Sequence, residues 1–250
     1  MLLLSLLLAC TSSDCAPGAP CGFDGGAYYV LDPDEPSGRA LIYLHGAGTD
    51  AEGVRNRHKE ERFLEQGFTM VYPDAPSGHW QVSRGQESAR SDAAWVAALA
   101  AELEAEGVAE RFYVSGHSVG GSMTWYVACY EGDRFEAFAP SSGGFWAPAP
   151  ADCDVRSVAI RHSHGTLDTM VPLEGRSLGG SAEQANIYDG LDMWRGINDC
   201  SSDVTVTEEG PYTCSANDCA QGDVSLCLYE GKHATPNAWE QHVAAWLAEH

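Results

Sequence analysis

A chain of 250 residues, 44% of them hydrophobic, is long enough to bury one sizeable core and has the make-up of a folded globular protein. It carries 36 acidic residues against 14 lysines and arginines, a formal net charge of −22, and only Lys59 and Lys232 are lysines. Such a surface repels phosphates, which excludes nucleic acid as the expected partner and argues against direct binding to anionic membranes.

The chain opens on an apolar run, MLLLSLLLAC, too short to span a bilayer as a helix and best read as an export signal. No Lys or Arg precedes its apolar core. Leu7-Leu8-Ala9-Cys10 has the form of a bacterial lipobox, so Cys10 is the expected lipidation site and an N-terminal lipid the only expected membrane attachment. Plain secretion and a retained apolar N-terminus are the alternatives. Thr11 to Pro20 is rich in Ser, Gly and Pro and suits a flexible tether. Residues 1–20 are therefore expected to be signal and tether, and 21–250 a single folded domain in an extracytoplasmic location. Without Cys10 the cysteines form an even set of eight, which in an exported protein points to disulfides. A zinc site drawn from Cys214, Cys219, Cys227 and His233 is the alternative, but its spacing is irregular; no metal and no cofactor is expected.

Strands are expected at Tyr28–Leu31, Ala40–Leu44, Thr69–Tyr72, Phe112–Ser115, Ala137–Pro140, Val158–His162 and Val224–Tyr229. Helical spacing of apolar residues is expected to give helices over Ala94–Ala105, Val119–Cys129 and Trp239–Ala248. Strands alternating with helices imply an α/β fold, a mostly parallel central sheet with helices on both faces. Ala147–Asp154 and the cysteine-rich stretch Cys200–Cys219 read as decorations on it.

Between the fourth expected strand and the second expected helix stands Gly116-His117-Ser118-Val119-Gly120, a G-x-S-x-G motif. At a sharp strand-to-helix turn the serine adopts a strained backbone that exposes its hydroxyl, and its flanking positions must be glycine because side chains would strike the adjacent strand and helix. Val119 opens the helix, so its N–H is available to an oxyanion at a positive helix terminus. A serine needs a base, and the order to look for is Ser, acid, His. Asp168, in HGTLDTMVP after the Val158–His162 strand, is the acid candidate; its alternative is a turn residue. His233, in YEGKHATP after the last strand, is the base candidate; its alternative is a solvated loop histidine. The second oxyanion donor is expected at Ala47, in Leu44-His45-Gly46-Ala47-Gly48, with His45 supporting that loop. His117 precedes the serine, so its ring is expected to point away from the attack site; it is still counted with Trp80, Trp146 and Met170 as a candidate pocket residue. For the loop residues Trp80, Trp146 and Met170 the alternative is ordinary packing. His162 and His164 form a His-x-His pair flanking the acid strand, without an evident third metal ligand.

Taken in order, these motifs resemble those of an α/β-hydrolase. More narrowly, from about Ala40 to the C-terminus the chain is similar to the exported esterases that include polyhydroxybutyrate depolymerases and family 1 feruloyl and acetylxylan esterases. LIYLHGAG resembles that group's strand and oxyanion loop, VYPDAPSGHW its next strand and Trp-bearing loop, and HSHGTLDTMVP its acid segment. WRGINDC followed by CAQGDV resembles a W-x-x-x-N-x-C segment paired with a later cysteine, which implies a Cys200–Cys219 disulfide. Cys129–Cys153, Cys214–Cys227 and Cys15–Cys21 are expected only from proximity along the chain. Two departures stand out. His117 replaces a small apolar residue, and Gly231-Lys232-His233-Ala234-Thr235-Pro236 lacks the Trp of the group's G-G-H-x-W-P. The resemblance implies a serine esterase with Ser118, Asp168 and His233 as catalytic residues and an ester substrate: a polyester, a small molecule or an acyl group on a glycan. A peptidase of the same fold and a catalytically idle binding protein are the alternatives.

Overall fold

The computed structural model describes residues 18–57, 60–83, 85–180 and 182–250. The expected lipidation site Cys10 and the expected partner Cys15 lie outside the described residues. In chain order the elements are β1 (Cys21–Phe23), β2 (Gly26–Leu31), β3 (Arg39–Leu44), α1 (Ala51–Arg55), α2 (Glu61–Glu65), β4 (Phe68–Pro73), α3 (Gln86–Ala105), β5 (Arg111–His117), α4 (Val119–Glu131), β6 (Phe138–Ser141), β7 (Ala159–Gly165), β8 (Arg176–Gly179), β9 (Ala182–Gln184), α5 (Ile187–Ile197), β10 (Cys200–Glu209), β11 (Tyr212–Cys219), β12 (Asp223–Tyr229) and α6 (Trp239–Ala248).

Ten strands form one sheet in the order β1-β2-β4-β3-β5-β6-β7-β12-β11-β10. From β4 through β12 neighbouring strands pair parallel, and antiparallel pairs flank them at both ends. β3 shows why a central strand reads as an unbroken apolar run. Ala40, Ile42 and Leu44 enter the core under α3, α4 and α5, while Leu41 and Tyr43 enter the core under α1, α2 and α6. Side chains alternate between faces, so a strand covered on both sides must be apolar at every position.

The expected strands and helices each fall within an observed element or overlap one, with ends displaced by a few residues. α3 starts at Gln86, eight residues before the expected Ala94; Glu87, Ser88, Arg90 and Ser91 make its first turns polar, so its apolar spacing shows only later. The stretch Cys200–Cys219 is not a decoration: it comprises β10 and β11, a hairpin that extends the central sheet. Its outer strand is exposed over nearly its whole length, so it lacks the apolar alternation that marks a strand. α5, not expected from the sequence, is capped by the Asn186 side chain on the Tyr188 N–H and buries Ile187, Leu191 and Trp194. At its far end Asn198, fully buried, brackets Val158: its Oδ1 accepts from the Val158 N–H at 2.9 Å and its Nδ2 donates to the Val158 carbonyl at 2.6 Å.

Disulfides join Cys129 to Cys153, Cys200 to Cys219 and Cys214 to Cys227. These bonds use the sulfurs that a zinc site would need. No helix among the described residues is long and apolar enough to cross a membrane.

Candidate active site

Parallel strands deliver their C-terminal ends to one edge of the sheet, and the loops there hold the chemistry-bearing residues. Ser118 follows β5 directly and stands at the N-terminus of α4, with φ 59° and ψ −120°. A non-glycine residue holds such a backbone only when its surroundings force it. Here the forcing is backbone against backbone. A Cβ on Gly116 would lie 2.6 Å from the Gly120 carbonyl, and a Cβ on Gly120 would lie 2.0 Å from the Leu44 carbonyl oxygen. The Ser118 N–H donates to the Ser141 carbonyl at 3.0 Å, tying the turn to β6.

The Ser118 hydroxyl lies 2.8 Å from His233 Nε2, and His233 Nδ1 lies 2.7 Å from Asp168 Oδ2. A neutral imidazole has one donor and one acceptor nitrogen. With Nδ1–H donating to the carboxylate, Nε2 is left to accept the serine proton. Asp168 comes from the loop after β7 and His233 from the loop after β12, and these strands are parallel neighbours. Two further backbone bonds stitch the loops: Thr166 N–H to the Tyr229 carbonyl at 2.9 Å and Leu167 N–H to the Gly231 carbonyl at 2.8 Å.

The Asp168 side chain is fully buried. Its Oδ1 accepts from the Met170 and Val171 N–H groups, each at 2.9 Å. Burial alone would push its carboxyl up. Hydrogen bonds from His164, from the Val171 N–H and from His233 outweigh that and hold it well below the usual carboxylate range. Asp168 is therefore an anion aimed at His233 throughout the neutral range.

His117 does not point away. Its ring lies 4.9 Å from that of His233, and it lines the same cavity as Ser118. The chain reverses at Ser118, which leaves the last side chain of β5 beside the His233 loop. His117 Nδ1 is 3.1 Å from Ser141 Oγ, and burial, reinforced by His233, lowers its pKa to about 4. It is thus neutral at pH 7.

Two cavities share the loop of Gly46, Ala47, Gly48 and Thr49, and the larger of them reaches Ser118. One of about 430 Å³ is lined by Tyr43, Ala47, Arg57, His117, Met170 and His233, among others. A narrower one of about 200 Å³ lies between Ala47, Val119, Trp80 and Trp146. Ala47 therefore sits where the two spaces join, and Val119 lines the smaller one. Trp80 is almost completely buried, and its indole N–H donates to the His45 carbonyl at 3.1 Å. The His45 ring accepts from the Ala75 N–H at 3.2 Å, so His45 braces the loop that carries Ala47. Met170 is 57% exposed at the rim. Sequence reasoning passed over Ser141, which holds both Ser118 and His117, and the cavity residues Tyr43 and Arg57. It saw no purpose in His162 and His164 although the His-x-His spacing was in view.

No family model matches the chain. A curated acetylxylan esterase/xylanase of Neocallimastix patriciarum is 31% identical over 140 residues, which are 54% of this chain and 20% of that protein. A probable feruloyl esterase C of Aspergillus terreus is 26% identical over 221 residues, 86% of this chain and 73% of that protein. The chain thus spans about a fifth of the length of the first relative and nearly three quarters of the second. Among solved structures, an acetyl xylan esterase from Aspergillus awamori aligns with a TM-score of 0.64 at 14% identity, over 89% of this chain and 94% of that one. A Bacillus cereus carboxylesterase aligns with a TM-score of 0.64 at 10% identity, over 90% and 94%. The chain has the α/β-hydrolase fold, and its sequence relatives are proteins named acetylxylan esterase and feruloyl esterase.

Proposed function

We propose that this protein is an exported serine esterase that cleaves carboxylic esters through an acyl-enzyme. The observation that carries the reading is the unbroken hydrogen-bonded line from Ser118 through His233 to Asp168, opening on a cavity. His233 Nε2 takes the Ser118 proton as the hydroxyl oxygen attacks the ester carbonyl, and Asp168 stabilises the resulting imidazolium. The amides of Ala47 and Val119 receive the oxyanion, each such donor being worth on the order of 3 kcal/mol of the barrier. His233 then returns the proton to the leaving alcohol. Water, activated the same way, releases the acid and restores Ser118.

The substrate class is an acetyl or feruloyl ester on a glycan, or a polyhydroxyalkanoate-type ester. The names of the sequence relatives support the first two. The disulfides Cys129–Cys153, Cys200–Cys219 and Cys214–Cys227 suit an oxidising compartment. Attachment through a lipid on Cys10 belongs to the same proposal.

The test is hydrolysis of p-nitrophenyl acetate, butyrate and octanoate beside methyl ferulate by the oxidised protein. Activity that Ser118→Ala abolishes is the expected result, and the acyl-length profile sorts the substrate classes. A folded, disulfide-intact protein inert toward all four would reject the esterase reading in favour of an idle binding protein.

A further inference from the structure

Behind the site runs a second line of hydrogen bonds that the reaction does not use. The Trp125 indole N–H, on α4, donates to His162 Nδ1 at 3.2 Å. His162 Nε2 lies 2.8 Å from His164 Nδ1. His164 Nε2 lies 2.8 Å from the Val171 carbonyl and 3.5 Å from Asp168 Oδ2. Both histidines and Trp125 are fully buried. His162 and His164 are two residues apart on β7 and so share a face of the sheet.

Direction is imposed from one end. An indole can only donate, so His162 Nδ1 must accept, and the one proton of a neutral His162 sits on Nε2. That proton is given to His164 Nδ1, which leaves the His164 proton on Nε2. Burial, and after it His164, lowers the His162 pKa well below its ordinary value, so His162 stays uncharged. The indole is itself fixed, because α5 presses on it: a Cβ on Gly190 would lie 2.5 Å from its ring. The line ends on the loop of residues 168–171. There the His164 N–H engages the Val171 carbonyl and faces the same Asp168 oxygen that receives His233. Two buried imidazoles whose only task was to fill space would be replaced by apolar side chains without loss.

We infer that His164 is a positioning residue for Asp168, its orientation locked by the buried chain Trp125–His162–His164 so that the carboxylate stays in register with His233. The inference rests on the triad proposed above.

His164→Leu, His164→Gln and Trp125→Phe test it, with three readouts: kcat and KM on p-nitrophenyl acetate, the thermal midpoint, and the downfield proton resonance of the His233 Nδ1–H, which needs no substrate. His164→Leu is expected to lower kcat by about tenfold or more with KM within about twofold, and to shift the resonance. His164→Gln, which keeps an N–H at the end of the side chain, recovers most of kcat. Trp125→Phe falls between them, since the two imidazoles lose their fixed tautomers. The inference is overturned if the variants lose only thermal stability while kcat and the resonance hold, or if Gln is as damaging as Leu. Should His164→Leu not fold, Gln and Trp125→Phe decide on the same criteria. Should the wild type hydrolyse no ester, the resonance still decides: a shift upholds the positioning role and its constancy rejects it, while the esterase reading fails separately.

Discussion

Gly120→Ala is the substitution whose effect follows most directly from the coordinates. The added Cβ would stand 2.0 Å from the Leu44 carbonyl oxygen and 2.7 Å from that of His45. Ordinary contact begins near 3.4 Å, so the end of β3 must retreat by roughly 1.4 Å or α4 must lift by as much. Neither neighbour is a flexible side-chain tip. Overpacking of this kind destabilises by about 1–3 kcal/mol, and a chain of this size loses about 2–4 °C per kcal/mol. A midpoint lowered by about 6–12 °C is expected from a change near the top of that range. The effect on rate should be larger. Leu44 and His45 lead straight into the loop carrying Ala47, and a displacement of about 1 Å in a catalytic arrangement lowers kcat on the order of 100-fold. The assay is kcat and KM on p-nitrophenyl acetate beside a thermal melt followed by circular dichroism. Gly196→Ala is the control: its Cβ meets nothing within 4 Å, it lies in α5, and it should stabilise by up to about 1 kcal/mol without touching kcat. A Gly120→Ala protein with wild-type kcat and midpoint would refute the close approach of β3 to the elbow, and with it the account of why Ser118 is strained.

Three further outcomes are expected. Asp168→Asn lowers kcat by about 10⁴-fold with little change in KM, because an amide no longer holds His233 in the tautomer that accepts from Ser118; steady-state kinetics checks it. His117 titrates at about 4 when folded and near 6.5 when unfolded, so the unfolded chain binds its proton first as the pH falls. Its contribution is complete above pH 6.5 and drains away toward pH 4, reaching about 3 kcal/mol; urea midpoints against pH should fall less steeply for His117→Asn across that window. Opening the Cys129–Cys153 bridge, which closes 24 residues, by replacing both with Ala should cost about 3 kcal/mol and show as a lowered midpoint.

What could be read from the residues alone divides along physical lines. The sheet's central strands were legible because burial on both faces makes β3, β4 and β12 mostly apolar and gives β5 the apolar run Phe112–Val114. The elbow was legible because two backbones in contact admit only glycine at 116 and 120. Ser118, Asp168 and His233 stood out through their order after β5, β7 and β12, and His233 lies within hydrogen-bonding distance of the other two. β10 was not legible, since an exposed outer strand of Ser, Thr, Asp and Glu has no buried face to leave a pattern. α5 had a signal that went unread: Asn186 as cap, then Ile187, Leu191 and Trp194 at helical spacing. The orientation of His117 was misjudged because spacing along a strand does not say which way a side chain faces once the strand has ended in a reversal. Nothing in the His-x-His spacing could show that an indole from another element would meet it.

The sheet ends on β10, whose far side has no partner strand among the described residues. Val204 and Val206 are 53% and 59% exposed there, among Thr205, Thr207 and the carboxylates of Asp203 and Glu208. A ten-residue strand with open backbone donors and acceptors is a template on which another chain can be laid. Charge is what keeps copies apart: at −22, two such edges repel before they can zip together. Neutralising that net charge removes the guard while leaving the valines and the backbone groups in place. Colloidal failure, with edge-to-edge aggregates as its product, should therefore set the acid limit for storing and handling this protein.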